Sequence, residues 1–181
     1  HGNSSPTPRL STFRYLLSYA AKHNLFAFSA DITQAFLSAA PATPVYASMP
    51  PGFEDPNGRV AFLLKNLYGA NTGPYSFNCF LHNHLVSQGF EPNPYDGCVY
   101  TKMVGGSILI IMIYVDDSLA IHAKEEVLEE FYRYSATPAG GNFVFGQLER
   151  SPTRFLGFDI CRVSDGFILL QVPLISKVYA A

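Results

Sequence analysis

The chain has 181 residues, 48% hydrophobic and 14% charged, against an average charged share of about 25% in soluble domains. That length and apolar content predict one well-buried domain and exclude a disordered chain. A net charge of −2, from twelve Lys plus Arg against fourteen Asp plus Glu, leaves no broad basic footprint of the kind nucleic-acid binders use. No Lys or Arg lies between Lys22 and Arg59, nor between Lys65 and Lys102. The low charge predicts that some surface is normally covered by further chain or by a partner. Cys79, Cys98 and Cys161 have no metal-ligand spacing and predict buried thiols in a reducing compartment. No apolar run reaches the roughly 18 residues of a membrane span, and no signal-peptide pattern is visible.

Residues 1–8, rich in Ser and Pro, predict a flexible lead-in. From 9 to 23 an apolar stripe at Leu10, Phe13, Leu16, Leu17, Ala20 and Ala21 predicts a helix. Residues 25–30 then read as a strand that delivers Asp31 at its end, and 33–39 as a short helix stopped by Pro41 and Pro44. Short strands are predicted at 45–49 and 60–64. Thr72-Gly73-Pro74 is a helix-start signal, and that helix runs to about Gln88 and stops at Gly89. His82 and His84, two apart on it, face different ways and make no metal pair.

Strands at 98–103 and 107–114 join through Gly105-Gly106. Ser118-Leu119-Ala120-Ile121 resumes the apolar run after Tyr114-Val115-Asp116-Asp117, so the two acids sit in a tight hairpin turn. An amphipathic helix at 124–134 exposes four Glu. Strands follow at 142–148, 155–162 and 166–171, the last two turning around Asp165-Gly166. Helices among antiparallel hairpins predict an α+β domain, a split βαβ sheet with helices on one face.

Two adjacent carboxylates at the lip of an apolar sheet repel each other and are costly to desolvate. A solvated turn would carry them as well. A third acid narrows the choice: if the strand ending at Asp31 lies beside the 108–122 hairpin, Asp31 meets Asp116 and Asp117 at one sheet edge. Three carboxylates there could hold two divalent ions roughly 3.5–4 Å apart, as two-metal phosphoryl transfer requires. Mg²⁺ suits this because it takes few protein carboxylates and completes its shell with phosphate and water. Free backbone N–H groups at Thr33, Gln34 and Ala35 would suit a triphosphate. A Phe36 ring beneath the sugar would crowd a 2′-hydroxyl and favour deoxynucleotides. Plain core packing is the other reading of Phe36.

With these residues in place the chain resembles the reverse transcriptase domain of copia-type (Pseudoviridae) LTR retrotransposons. The matching pieces are Arg9-Leu10-Ser11, Asp31 with Ala35-Phe36-Leu37, Val45-Tyr46, and Met49-Pro50-Pro51-Gly52-Phe53. Leu67-Tyr68-Gly69 with Pro74, Gly89-Phe90, Cys98-Val99-Tyr100, the Tyr-Val-Asp-Asp motif at 114–117 and Phe155-Leu156-Gly157 follow in family order. The resemblance implies an RNA-directed DNA polymerase palm, an RRM-like antiparallel sheet, plus partial fingers over 9–181. It implies a nucleotidyltransferase in which Asp31, Asp116, Asp117 and the Ile32 carbonyl bind two Mg²⁺ or Mn²⁺ ions. Thr33, Gln34, Ala35, Phe36 and Thr72 would meet the nucleotide, and Tyr114, Val115, Phe155, Leu156 and Gly157 the primer. Implied partners are an RNA or DNA template with primer, deoxynucleotide triphosphates, and the fingers, thumb, RNase H and integrase parts of a polyprotein, with no membrane. The implied location is cytoplasmic, in a virus-like particle, with the nucleus as second compartment.

The departures are specific. After Leu-Tyr-Gly the family usually reads Leu-Lys-Gln-Ala-Pro-Arg with a Trp two residues later. Here the stretch is Ala70-Asn71-Thr72-Gly73-Pro74-Tyr75, with Phe77 at the Trp position. The basic start of the fingers, the thumb and RNase H also fall outside the matched stretch. These differences imply that the segment alone does not extend primers, and they leave open a degenerate or domesticated domain kept for protein contacts.

Overall fold

The computed structural model describes residues 5–67, 69–70 and 73–179. In chain order the elements are α1 (Leu10–Lys22), β1 (Phe26–Asp31), α2 (Ala35–Ser38), β2 (Tyr46–Ala47), β3 (Ala61–Phe62), α3 (Gly73–Ser87) and β4 (Glu91–Pro92). Then come β5 (Val99–Val104), β6 (Ser107–Tyr114), β7 (Asp117–His122), α4 (Glu125–Ser135), β8 (Arg154–Phe155), β9 (Phe158–Val163), β10 (Gly166–Leu170) and α5 (Val172–Tyr179). The main sheet has five antiparallel strands in the order β1-β7-β6-β5-β4, and β10-β9-β8 form a second sheet. The predicted α+β class stands, with mixed helices and antiparallel sheets.

β6 explains the layering. Its side chains are apolar at every position from Ile108 to Ile113, so both sheet faces must be covered. Leu109, Ile111 and Ile113 join Phe28, Ala30 and Ala120 against Leu81 and Leu85 of α3 and Leu128 and Tyr132 of α4. Ile110 and Met112 join Leu119 and Ile121 against Phe13, Leu16, Leu17 and Ala20 of α1 and Phe155, Phe158 and Ile160 of the second sheet. The expectation of helices on one face is therefore corrected: α1 packs on the face opposite α3 and α4. A helical stripe shows that one side is buried, not which sheet face buries it.

Two helix ends aim the chain. After α1, Asn24 takes a left-handed φ of 49°, with Leu25 N–H donating to the Ala20 carbonyl at 2.8 Å and Asn24 N–H to Ala21 at 3.1 Å. This Schellman motif turns the chain into β1. Gly89 (φ 81°) closes α3 in the same way, with Phe90 N–H donating to Leu85 at 3.0 Å.

Other expectations shift. The predicted strand at 155–162 is broken, because Phe155 pairs with Phe158 and Leu156-Gly157 form a turn with φ of 51° and 77°. β10 begins at Gly166 as predicted, but its turn falls one residue earlier, at Ser164-Asp165, since Val163 pairs with Gly166. Residues 142–148 do not form a regular strand: Phe145 bridges Ile32 just past β1, and the next bridge joins Glu149 to Ser29 of β1. α5 was not foreseen. Of the thiols, Cys98 is buried, Cys79 half-buried and Cys161 exposed, because Cys161 alternates with the inward Ile160 on β9. At the lead-in, Ser5 Oγ donates to the Pro74 carbonyl at 2.7 Å. Tyr68, Asn71 and Thr72 lie outside the described residues.

Candidate active site

The hairpin of β6 and β7 closes with Tyr114 opposite Asp117, so Val115 and Asp116 are the whole loop. Val115 has φ 55°, while Asp116 keeps a negative φ. That sign pattern belongs to a type II′ turn, whose first central position normally takes Gly. A β-branched residue there is strained by about 1–2 kcal/mol. The turn holds Asp116 at the tip and returns Asp117 to the sheet.

β1 runs antiparallel to β7, placing Asp31 directly opposite Asp117. The Ile32 N–H donates to the Asp116 carbonyl at 2.6 Å. This bond marks the Asp31–Asp117 pair as the narrow kind, with side chains on one face and Cβ atoms roughly 4.5–5.5 Å apart. Phe28, Ala30 and Ile32 face α3 and α4, so Asp31 and Asp117 project from the opposite face.

The electrostatics follow from this register. Burial first, and the Asp116 carboxylate second, push the Asp31 carboxyl above its ordinary value. Burial, then Asp116, then Asp31 push Asp117 up as well. Among the described residues the ion pairs join Arg59 to Asp55, Arg133 to Glu130 and Arg150 to Glu129, so none relieves this cluster. Three oxygen donors with uncompensated negative charge suit a hard divalent cation. Among the described residues, though, no three His, Cys, Asp or Glu side chains are already drawn into a closed ligand set. The fit lies in charge and donor chemistry.

Beneath the acids runs a buried polar strut that sequence reading missed. Ser118 Oγ donates to the Ala30 carbonyl at 2.7 Å and lies 3.2 Å from Tyr132 Oη, which reaches the Phe28 carbonyl at 3.4 Å. Burial drives the Tyr132 phenol well above its ordinary value, so it remains a neutral donor. This chain of bonds ties β7 to β1 one residue from each acid. Tyr132 lies on the face opposite the exposed Glu of α4, a position that pattern alone marks only as core.

On the nucleotide side, the Thr33 N–H already donates to Val144 at 2.7 Å, so it is not a free donor for phosphate. Gln34 sits at φ 56° before α2, a helix of four residues, and Ala35 is buried. A cleft of about 360 Å³ opens beside them, lined by Thr33, Gln34, Ser38, Lys65 and Asn142 among others. Lys65 Nζ donates to the Ser38 carbonyl at 2.9 Å. The half-buried Phe36 ring meets Phe77 edge-on at 6.3 Å.

The chain matches the family model described as reverse transcriptase (RNA-dependent DNA polymerase) over residues 2–181. It belongs to the reverse transcriptase family. Its curated relatives are of the copia type. It is 34% identical over 118 residues to the retrovirus-related Pol polyprotein from transposon RE1 of Arabidopsis thaliana, covering 64% of this chain and 8% of that protein. It is 29% identical over 169 residues to that from transposon RE2 of the same plant, covering 92% and 11%. To that from transposon TNT 1-94 of Nicotiana tabacum it is 31% identical over 120 residues, covering 65% and 9%. The matched stretch thus spans about a tenth of each relative's length. No solved structure matches.

Within this reverse transcriptase domain the structure brings Asp31, Ile32, Tyr114, Val115, Asp116 and Asp117 to one sheet edge. Phe155 is corrected: its ring is buried 5.5 Å from Phe13 as part of the core under α1, so it offers no exposed face to a primer. The turn beside it, half-buried Leu156 and exposed Gly157, is what reaches the surface. Thr72, expected near the nucleotide, lies outside the described residues.

Proposed function

We propose that this domain is the palm, with part of the fingers, of an RNA-directed DNA polymerase. It adds deoxynucleotides to a primer 3′-end, with Asp31, Asp116 and Asp117 holding two Mg²⁺ or Mn²⁺ ions. The observation that carries this reading is the cross-strand pairing of Asp31 with Asp117, with Asp116 in the turn between strands. When bound, such ions would favour the attacking hydroxyl and offset charge on the phosphate oxygens.

The reaction forms a bond from the primer 3′-oxygen to the α-phosphorus and breaks the bond to the β-phosphate. Pyrophosphate leaves, and the hydroxyl proton passes to solvent. In this reading Tyr114 and the strained Val115 beside it support the primer end, and the Leu156-Gly157 turn approaches the primer strand. Phe36 underlies the sugar, while the Thr33 hydroxyl, Gln34 and Thr72 contact the triphosphate. The Ile32 carbonyl completes one ion site. Template, primer and the other polyprotein domains are the partners. No helix among the described residues is long and apolar enough to cross a membrane.

Primer extension on RNA and DNA templates with Mg²⁺ or Mn²⁺, by a version carrying flanking polyprotein sequence, tests this. Loss of extension in Asp116→Asn is expected, and equal rates in the variant and the parent would refute the mechanism. A second reading, a non-catalytic interaction module, is favoured by the unclosed acid cluster and by the pairing of Lys65 with a backbone carbonyl. It predicts no binding to an RNA–DNA hybrid at near-physiological salt, where micromolar, salt-sensitive binding supports the polymerase.

A further inference from the structure

β1 is the outer strand of its sheet, and its end carries Asp31. An edge strand leaves a row of backbone groups to be held by something else. Residues 143–149 supply this as an antiparallel strap. Ser29 and Glu149 exchange both backbone hydrogen bonds, at 2.9 and 2.8 Å. Further along, the Gly146 N–H donates to the Asp31 carbonyl at 2.9 Å and the Thr33 N–H to Val144 at 2.7 Å, framing the bridge of Ile32 with Phe145.

These two bridges are out of step. Ser29 to Ile32 is an advance of three on β1, whereas Phe145 to Glu149 is an advance of four on the strap. The strap therefore carries one extra residue opposite Ala30 and Asp31, a β-bulge of the sort that re-aims chains beside active sites. Side-chain direction locates it. Phe143, Phe145 and Leu148 all pack against the core under α3 and α4, leaving Gly146 and Gln147, both exposed, where a regular strand has room for one outward residue.

Asp31 projects on the outward side too. A Cβ built on Gly146 would lie 3.8 Å from the Asp31 Cβ and 3.9 Å from Thr33 Oγ1. Gly146 is absent from the left-handed glycines, so its backbone does not call for glycine, and a methyl group fits at ordinary contact distance. A longer side chain would extend beside the carboxylate.

We infer that Gly146 is a positioning residue for Asp31: its amide holds the Asp31 carbonyl, and its missing side chain keeps the carboxylate's flank open to cations and triphosphate. This rests on the polymerase reading of the acid cluster.

Mn²⁺ titration followed by water-proton relaxation, with thermal melts alongside, tests it in the parent, Gly146→Ala, Gly146→Leu and Val144→Leu. Val144 is exposed on the same strap and serves as the control. Gly146→Leu should weaken Mn²⁺ binding by about 10-fold or more, the usual scale for a residue supporting a metal ligand. Gly146→Ala and Val144→Leu should stay near the parent, with melting temperatures unchanged. Equal binding by the parent and Gly146→Leu overturns the inference, as does a matching loss in Val144→Leu, which would mean strap integrity rather than clearance. If Gly146→Leu does not fold, Gly146→Ser and Gly146→Val carry the test, with affinity falling as volume rises at constant melting temperature. A parent that binds no Mn²⁺ refutes the polymerase site itself, a result distinct from a parent that binds and a Leu variant that binds equally.

Discussion

Asp31 and Asp117 stand directly opposite each other across a narrow antiparallel pair, one at the end of β1 and the other at the start of β7. Their facing positions gather negative charge that no Lys or Arg among the described residues pairs with. Both carboxyls are pushed upward, by burial first and by neighbouring acids second.

This raises a pH expectation. A carboxyl whose folded value lies above its unfolded one binds more protons when folded, so stability falls as pH rises from the unfolded value through the raised folded one. Asp117→Asn removes that penalty. With screening of a half-exposed group allowed for, the metal-free variant should gain a few tenths to about 1 kcal/mol at pH 7. Melts from pH 3 to 7 should show the gain growing with pH, and a variant less stable than the parent at pH 7 would contradict the repulsion.

Val115 tests the turn. Replacing it with Gly relieves a left-handed φ at a β-branched residue but adds chain entropy to the unfolded state, for a net gain of about 0.5–1 kcal/mol. Urea unfolding measures this. A destabilised Val115→Gly would mean that packing of Val115 outweighs its strain.

The strut under the acids is coupled. Tyr132→Phe and Ser118→Ala should each cost about 0.5–1.5 kcal/mol as buried partners are lost. Because the hydroxyls share one network, the double variant should cost less than both together. Strict additivity in a double-mutant cycle would dissolve the strut.

Phe155→Ala should lose about 3–5 kcal/mol as a core truncation beneath α1, whereas Leu156→Ala, on the half-buried turn, should cost far less. Similar small losses from both would return Phe155 to the surface.

Much of this was legible in the residues. The unbroken apolar run of β6 announced a buried strand, though not that helices cover both of its faces, and Gly89 and Gly105-Gly106 marked their turns. The three acids were visible as a set because Asp31 ends one apolar run and Asp116-Asp117 interrupt another. Their register was not, since pairing between residues so far apart in the chain leaves no local trace. Nor was the turn at Leu156-Gly157, where an apolar Leu in left-handed backbone hides a hairpin inside what reads as one strand. The strap was read as a strand at 142–148, but its bulge and its partner were not, for a related reason. Its alternation breaks at Gly146-Gln147, and a bulge looks like irregularity until its partner strand is known.

The central claim is that the facing acids bind divalent cations. Anomalous diffraction from crystals soaked in Mn²⁺ tests it most directly. The account predicts a peak bounded by the Asp31, Asp116 and Asp117 carboxylates that disappears in Asp116→Asn. No peak at saturating Mn²⁺, or one unchanged in that variant, would contradict it.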